Sequence, residues 1–369
     1  MKKCFQNVTL KSTVALLLVC LGSATQVLSA DSQAEQELQK GTALTRRGEF
    51  NEAIQHLLVA RGHLANDYAV NFNLALCYVA TAQSKLAIPI LTDLRADGHD
   101  TADVNNLLAQ AYVGESQNQN AIDALQRAAA FNPENEKLYM FVADACTAKA
   151  NYTLGVQVAD FGLSHLPKSA GLHFERAMFL SLLDQFDDAK VDFELARSLA
   201  PDSDIAFIAV SQEAMFEGNI AEAVRAARDG ISKGHENFML LTLLGEAQLR
   251  SGITPGQPEF EEARRALERA VSQRADYASS QLSLGKLYLL EDRLDDAISH
   301  LEASRQLNPG DPAIYSNLAA AYRKQGKLPQ AQDALATLAK LNQAQAEKIR
   351  NAPGDRKASY AGTAQEHNP

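Results

Sequence analysis

The sequence predicts an all-α solenoid of about nine helix-turn-helix repeats, and three observations predict it. A small residue returns at a fixed interval, at Ala53, Ala87, Ala121, Gly155, Ala189, Ala223, Ala263, Ala297 and Ala331; the intervals are 34 five times, then 40, then 34 twice. Each period holds two amphipathic stretches at helical spacing with a polar turn between them, as in 102–114 and 118–131. Pro133, Pro167, Pro201 and Pro309 close the second stretch in four periods, because proline cannot continue the helical hydrogen-bond ladder. A constant period of this length is the mark of stacked structural repeats.

Composition agrees with a packed fold. In 369 residues, 46% hydrophobic and 22% charged, there is enough apolar material to rule out a disordered chain, and four cysteines cannot build a disulfide scaffold. A net charge of -10 argues against a nucleic-acid partner and against electrostatic docking on anionic lipid.

Taken in order, residues 1–30 read as a secretory signal peptide. Lys2, Lys3 and Lys11 precede the apolar run from Val14 to Leu21, with no acidic residue and with small residues after it. The run is far shorter than the roughly 20 residues a bilayer crossing needs, so no membrane insertion is expected after cleavage. Cleavage after Ala24 and cleavage after Ala30 both suit the sequence, and the residue before Cys20 is too large for a lipid-anchor motif. Loss of this segment removes three lysines and no acids, taking the charge from -10 to -13.

The repeats occupy 31–350 and start at 34, 68, 102, 136, 170, 204, 238, 278 and 312. Counting each start as position 1, position 8 is always small: Gly41, Ala75, Ala109, Ala143, Ala177, Ser211, Gly245, Gly285 and Ala319. Small residues at positions 8 and 20 predict a close crossing of the two helices of a hairpin. Leu74, Leu108, Val142, Val210, Leu244, Leu284 and Leu318 at position 7 are expected to fill the layer between neighbouring hairpins. The seventh repeat carries six extra residues, 253–258, in the turn between its helices, with Pro255 and Pro258 stiffening it. Residues 346–350 extend the last helix, and 351–369 read as a disordered tail.

These residues resemble the tetratricopeptide repeat family, over 34–345. The likeness is clearest in 312–345, with Tyr315, Leu318, Ala319, Tyr322, Gly326 and Ala331, and in 68–101, with Leu74, Ala75, Tyr78, Ala87 and Leu91. The resemblance implies that the hairpins stack into a right-handed superhelix. The family's tryptophan at position 4 is absent throughout; Tyr139, Phe207 or Tyr315 stands there in some repeats and Glu37, Asn71 or Asn105 in others.

No chemistry is legible in the chain. The eight histidines include no i, i+4 ligand pair, and phosphate-binding loops, G-x-S-x-G and H-E-x-x-H are all missing. Ser283-Leu284-Gly285-Lys286 imitates a serine nucleophile with a nearby lysine, but Leu284 and Gly285 occupy the packing positions 7 and 8. Cys77 and Cys146 fall two repeats apart, beyond disulfide reach, and are expected as buried free thiols. The expectation is a protein without catalytic residues, cofactor or metal.

The resemblance implies that positions 2, 5, 9, 12 and 13 of each first helix line a concave face. All four methionines outside the export segment lie there: Met140, Met178, Met215 and Met239. Phe72, Leu76, Val79, Phe174, Leu182, Ile205, Ile208 and Phe216 share the face. A surface of thioethers and aromatic rings suits a protein or peptide partner with an apolar or amphipathic segment, since methionine repacks around different side chains. The same pattern also fits ordinary core between repeats, and the residues leave that choice open. The lysine and asparagine carboxylate clamp of the family's chaperone-binding members is not matched, Leu38 and Thr42 standing at its positions 5 and 9 in the first repeat. The expected function is an exported, non-enzymatic binding scaffold, periplasmic or extracellular in a bacterium; the alternative is a subunit of an envelope machine for polysaccharide or protein export and assembly.

Overall fold

The computed structural model describes residues 31–351, so the expected export segment and residues 352–369 of the expected tail lie outside the described residues. The chain forms two compact units that divide between Pro167 and Lys168. The first holds α1 (31–46), α2 (Phe50–Ala60), α3 (Tyr68–Ala80), α4 (Ser84–Ala96), α5 (Ala102–Gly114), α6 (Asn118–Ala129), α7 (Glu136–Ala148) and α8 (Tyr152–His165). The second holds α9 (Ala170–Leu182), α10 (Phe186–Leu199), α11 (Asp204–Phe216), α12 (Ile220–Ser232), α13 (Phe238–Arg250), α14 (Pro258–Gln273), α15 (Ala278–Leu290), α16 (Leu294–Leu307), α17 (Pro312–Lys324) and α18 (Leu328–Asn351). Among the described residues there is no strand, and the fold is all-α.

Capping fixes where several first helices begin. Thr101, Ser169, Ser203, Asn237 and Asp311 each turn a side-chain oxygen onto a backbone N–H of the following turn, which satisfies one of the donors a helix start leaves unpaired. The hairpin turns end each first helix with a left-handed residue at position 15. Glycine meets that need at Gly48, Gly218, Gly252 and Gly326, whereas Ala82, Ser116, Ala150, Asp184 and Asp292 adopt φ of 51–61° without it. An L side chain there costs about 1–2 kcal/mol, set against the greater freedom glycine adds to the unfolded chain. Ala150→Gly should therefore stabilise the fourth hairpin by about 0.5 kcal/mol, read as a rise in the denaturation midpoint; a fall would show that the turn carries no strain.

In three hairpins the glycine at position 8 faces a leucine at position 24. A Cβ added at Gly245 would lie 2.4–2.8 Å from the Leu267 side chain, one at Gly41 2.6–2.8 Å from Leu57, and one at Gly285 2.8 Å from Leu301 Cγ. The alanines at position 20 are all sealed, from Ala53 to Ala331, and the chain interior is a ladder of such contacts.

Where the family pattern has tryptophan at position 4, this chain uses two other devices. In three hairpins a polar pair ties position 4 to position 23: His56 Nδ1 to Glu37 at 2.5 Å, His173 Nδ1 to Asp192 at 2.7 Å, and His300 Nδ1 to Gln281 at 2.7 Å. At Tyr139 and Tyr315 the phenol instead donates to the carbonyl of the proline that closes the preceding hairpin, Pro133 and Pro309 respectively. The six-residue insertion is not wholly a surface turn. Ile253 is buried with Leu249, Phe260 and Leu289, and Pro258 occupies the first turn of α14, where its missing N–H is no loss.

Candidate functional site

In the first unit α3 contacts α5 and α5 contacts α7; in the second, α9, α11, α13, α15 and α17 form a continuous row, each touching the next. Successive second helices make no comparable contact. A row whose members approach one another lies on the inner side of a curve, so the first helices line the inner face of each unit.

The twelve residues expected on that face divide by burial. Phe174, Ile208 and Met215 are 5%, 3% and 6% exposed and belong to the core of the second unit. This corrects their reading as partner contacts. The Phe174 ring packs 5.9 Å from that of Phe193 on α10, and α11, which carries Ile208 and Met215, is packed against α9, α10, α12 and α13. The other nine keep solvent access. Leu182 and Phe216 are exposed; Phe72, Leu76, Val79, Met140, Met178, Ile205 and Met239 are half-buried. Phe72, Leu76, Val79 and Met140 lie in the first unit. Met178, Leu182, Ile205, Phe216 and Met239 are carried by the adjoining helices α9, α11 and α13 of the second, which gives that unit the larger accessible apolar strip.

The strip changes character along the row. Position 9 carries Met178, then Gln212, Glu246 and Lys286. Desolvation pushes the Glu246 carboxyl up to about 7, against the lowering pull of the Ser283 hydroxyl, which donates to Oε1 at 3.2 Å, and of Arg250 and Lys286. Glu246 therefore titrates close to neutrality. Ser283, the serine of the Ser283–Lys286 fragment, is buried and donates to it.

A cleft of about 360 Å³ opens at the turn edge of the same face, where the C-terminal ends of α9 and α11 meet the start of α10. Phe186, Phe193 and Phe216 line it with Asp187, Lys190, Glu213 and Glu217. The Phe186 and Phe193 rings lie 6.1 Å and 6.3 Å from that of Phe216. Lys190 Nζ donates to Glu217 at 2.8 Å and lies 3.6 Å from Glu213. Burial nonetheless raises the Glu213 carboxyl above its usual range, Lys190 offsetting only part of it. Of these residues the sequence pattern singles out Phe216 alone. Phe186, Lys190 and Glu217 come from three different repeat positions, and only the packing of α10 on α11 brings them together.

Cys77 and Cys146 are buried free thiols. Burial raises both, Cys146 to about 12, and the Thr45 hydroxyl lies 3.2 Å from Cys77 Sγ. Among the described residues no group of three or more His, Cys, Asp or Glu is placed to hold a metal ion, and no helix is long and apolar enough to cross a membrane.

A family model described as tetratricopeptide repeat matches residues 44–111 and 288–352, and a second model of the same description matches 256–312. Hsp70-Hsp90 organizing protein 2 of Arabidopsis thaliana is 24% identical over 185 residues, 50% of this chain and 30% of that protein. The tetratricopeptide repeat domain-containing protein PYG7, chloroplastic, of the same plant is 29% identical over 112 residues, 30% of this chain and 36% of its own. The chain thus spans about a third of the curated relatives it matches. Among solved structures, the APC/C hetero-tetramer Cut9-Hcn1 aligns with a TM-score of 0.50 at 15% identity, covering 84% of this chain and 61% of that one. That likeness speaks to the fold.

Proposed function

The chain is a tetratricopeptide repeat protein, and from that premise we propose that it is a protein-binding scaffold which holds an apolar or amphipathic peptide segment on the inner face of its second unit. The observation that carries this reading is the accessible strip of Met178, Leu182, Ile205, Phe216 and Met239 on three adjoining helices. Large apolar side chains left half-open side by side mark interaction surfaces, and methionine and phenylalanine provide contact area that adapts to different partners. The names of the similar proteins support binding of other proteins as the general task, the plant organizing protein being named for two chaperones. For this chain the partner is defined by chemistry alone, and the missing lysine and asparagine clamp points away from a terminal carboxylate.

Export belongs to the same proposal. The Lys2, Lys3 and Lys11 segment with its short apolar run supports delivery to a periplasm or beyond, with the working chain starting after Ala24 or Ala30. The test is selection of a 12-residue peptide display library on the mature chain and on Met178→Gln/Leu182→Gln. The wild-type chain should enrich peptides with apolar residues at spacings of three and four, and the variant should bind them about tenfold more weakly, having lost apolar area without any change of charge. Equal binding by both chains would overturn the assignment to this face.

A further inference from the structure

The cleft between α9, α10 and α11 combines two properties. Its rim is aromatic and open, Phe186 being 43% exposed and Phe216 36%. Its lining charges do not balance: Asp187, Glu213 and Glu217 face one lining cation, Lys190, with Arg197 adding a weaker pull on Glu213. Lys190 is engaged mainly with Glu217, at 2.8 Å against 3.6 Å for Glu213. Glu213 is the less exposed of the two carboxylates, and its raised carboxyl marks a charge whose lost hydration is only partly made good.

We propose that this cleft anchors a lysine or arginine side chain of the bound peptide, with the aliphatic stem on the Phe186 and Phe216 rings and the cationic head beside Glu213 and Asp187. The inference rests on the peptide-binding reading above and specifies it: the partner segment is amphipathic and its fixed polar point is basic. Complementarity chooses the occupant. Phenyl faces attract a cation and accept its methylenes, and a carboxylate in partly dry surroundings gains more from a new counter-ion than one in water. An acidic or purely apolar side chain would leave the charge excess uncompensated. Phe216 belongs to both features, as it ends the apolar strip and forms the rim of the cleft. A peptide lying on Met178 and Leu182 would therefore reach the cleft with a residue a few positions along.

The experiment uses peptides enriched on the mature chain, each resynthesised with its basic residue replaced by norleucine, which keeps the stem and removes the charge. The replacement should weaken binding to the wild-type chain about tenfold and binding to Asp187→Asn/Glu213→Gln hardly at all, since that variant lacks the two carboxylates beside the cationic head. Lys190→Met, which removes the internal competitor, should bind the basic peptides several-fold more tightly, an effect no structural role for Lys190 would produce. Thermal melts of the variants establish that each is folded. Enriched peptides without a lysine or arginine preference, or a norleucine effect unchanged in Asp187→Asn/Glu213→Gln, would overturn the anchor while leaving the apolar face intact. Failure to enrich any peptide would overturn both.

Discussion

Asp192→Ala should be among the most damaging single changes in the second unit, costing about 3 kcal/mol. Asp192 is 1% exposed and lies between two partners on the facing helix, accepting from Arg176 Nε at 2.6 Å and Nη2 at 2.8 Å and hydrogen-bonded to His173 Nδ1 at 2.7 Å. Removing it takes from the Arg176 guanidinium and the His173 imidazole the buried carboxylate they share on α10, and breaking a buried pair by deleting one partner costs more than the pair contributes. The loss should be local, because in a stack of repeats each hairpin is coupled only to its neighbours. Amide hydrogen exchange should accelerate most in α9 and α10, with α15–α18 close to the parent. Asp192→Asn, which keeps an acceptor oxygen for Arg176, should recover part of the stability. A uniform acceleration through the whole second unit would mean that the rung holds more than its own hairpin.

That rung also shows why some of the fold was legible in the sequence and some was not. Position 8 could be read because glycine, alanine and serine have one common packing consequence, and Gly41, Gly245 and Gly285 all abut a leucine at position 24. Position 4 looked like a mixture of unrelated residues. Its logic depends on a partner nineteen residues later, so Glu37 with His56 and Gln281 with His300 become one device only when both helices are in place. The candidate site was half-legible for the same kind of reason. Helical spacing tells which residues share a face, and Met178, Leu182, Ile205 and Met239 keep solvent access there. Spacing does not tell which of those side chains the surrounding helices cover, and Phe174, Ile208 and Met215 are covered. The cleft was beyond a position-by-position reading altogether, since it joins position 17 of one repeat to positions 10, 13 and 14 of the next.

The difference between two methionines on that face is the most direct test of where core ends and surface begins. Met215→Lys should destabilise the second unit by about 4 kcal/mol, because a nearly sealed thioether would give way to an ammonium without a counter-ion. Lysine is more discriminating here than glutamate. Arg250 Nη1 already donates to the Met215 carbonyl at 3.2 Å, so an acidic replacement would have a cation within reach, whereas a second cation meets repulsion. Met178→Lys places the same group at position 9 of α9, where the half-open strip lets the long side chain carry its charge to water. That variant should change the denaturation midpoint little. If the two variants melted together, high or low, burial would not separate the residues, and the boundary drawn across the inner face between Met215 and the strip of Met178, Leu182 and Phe216 would be in the wrong place.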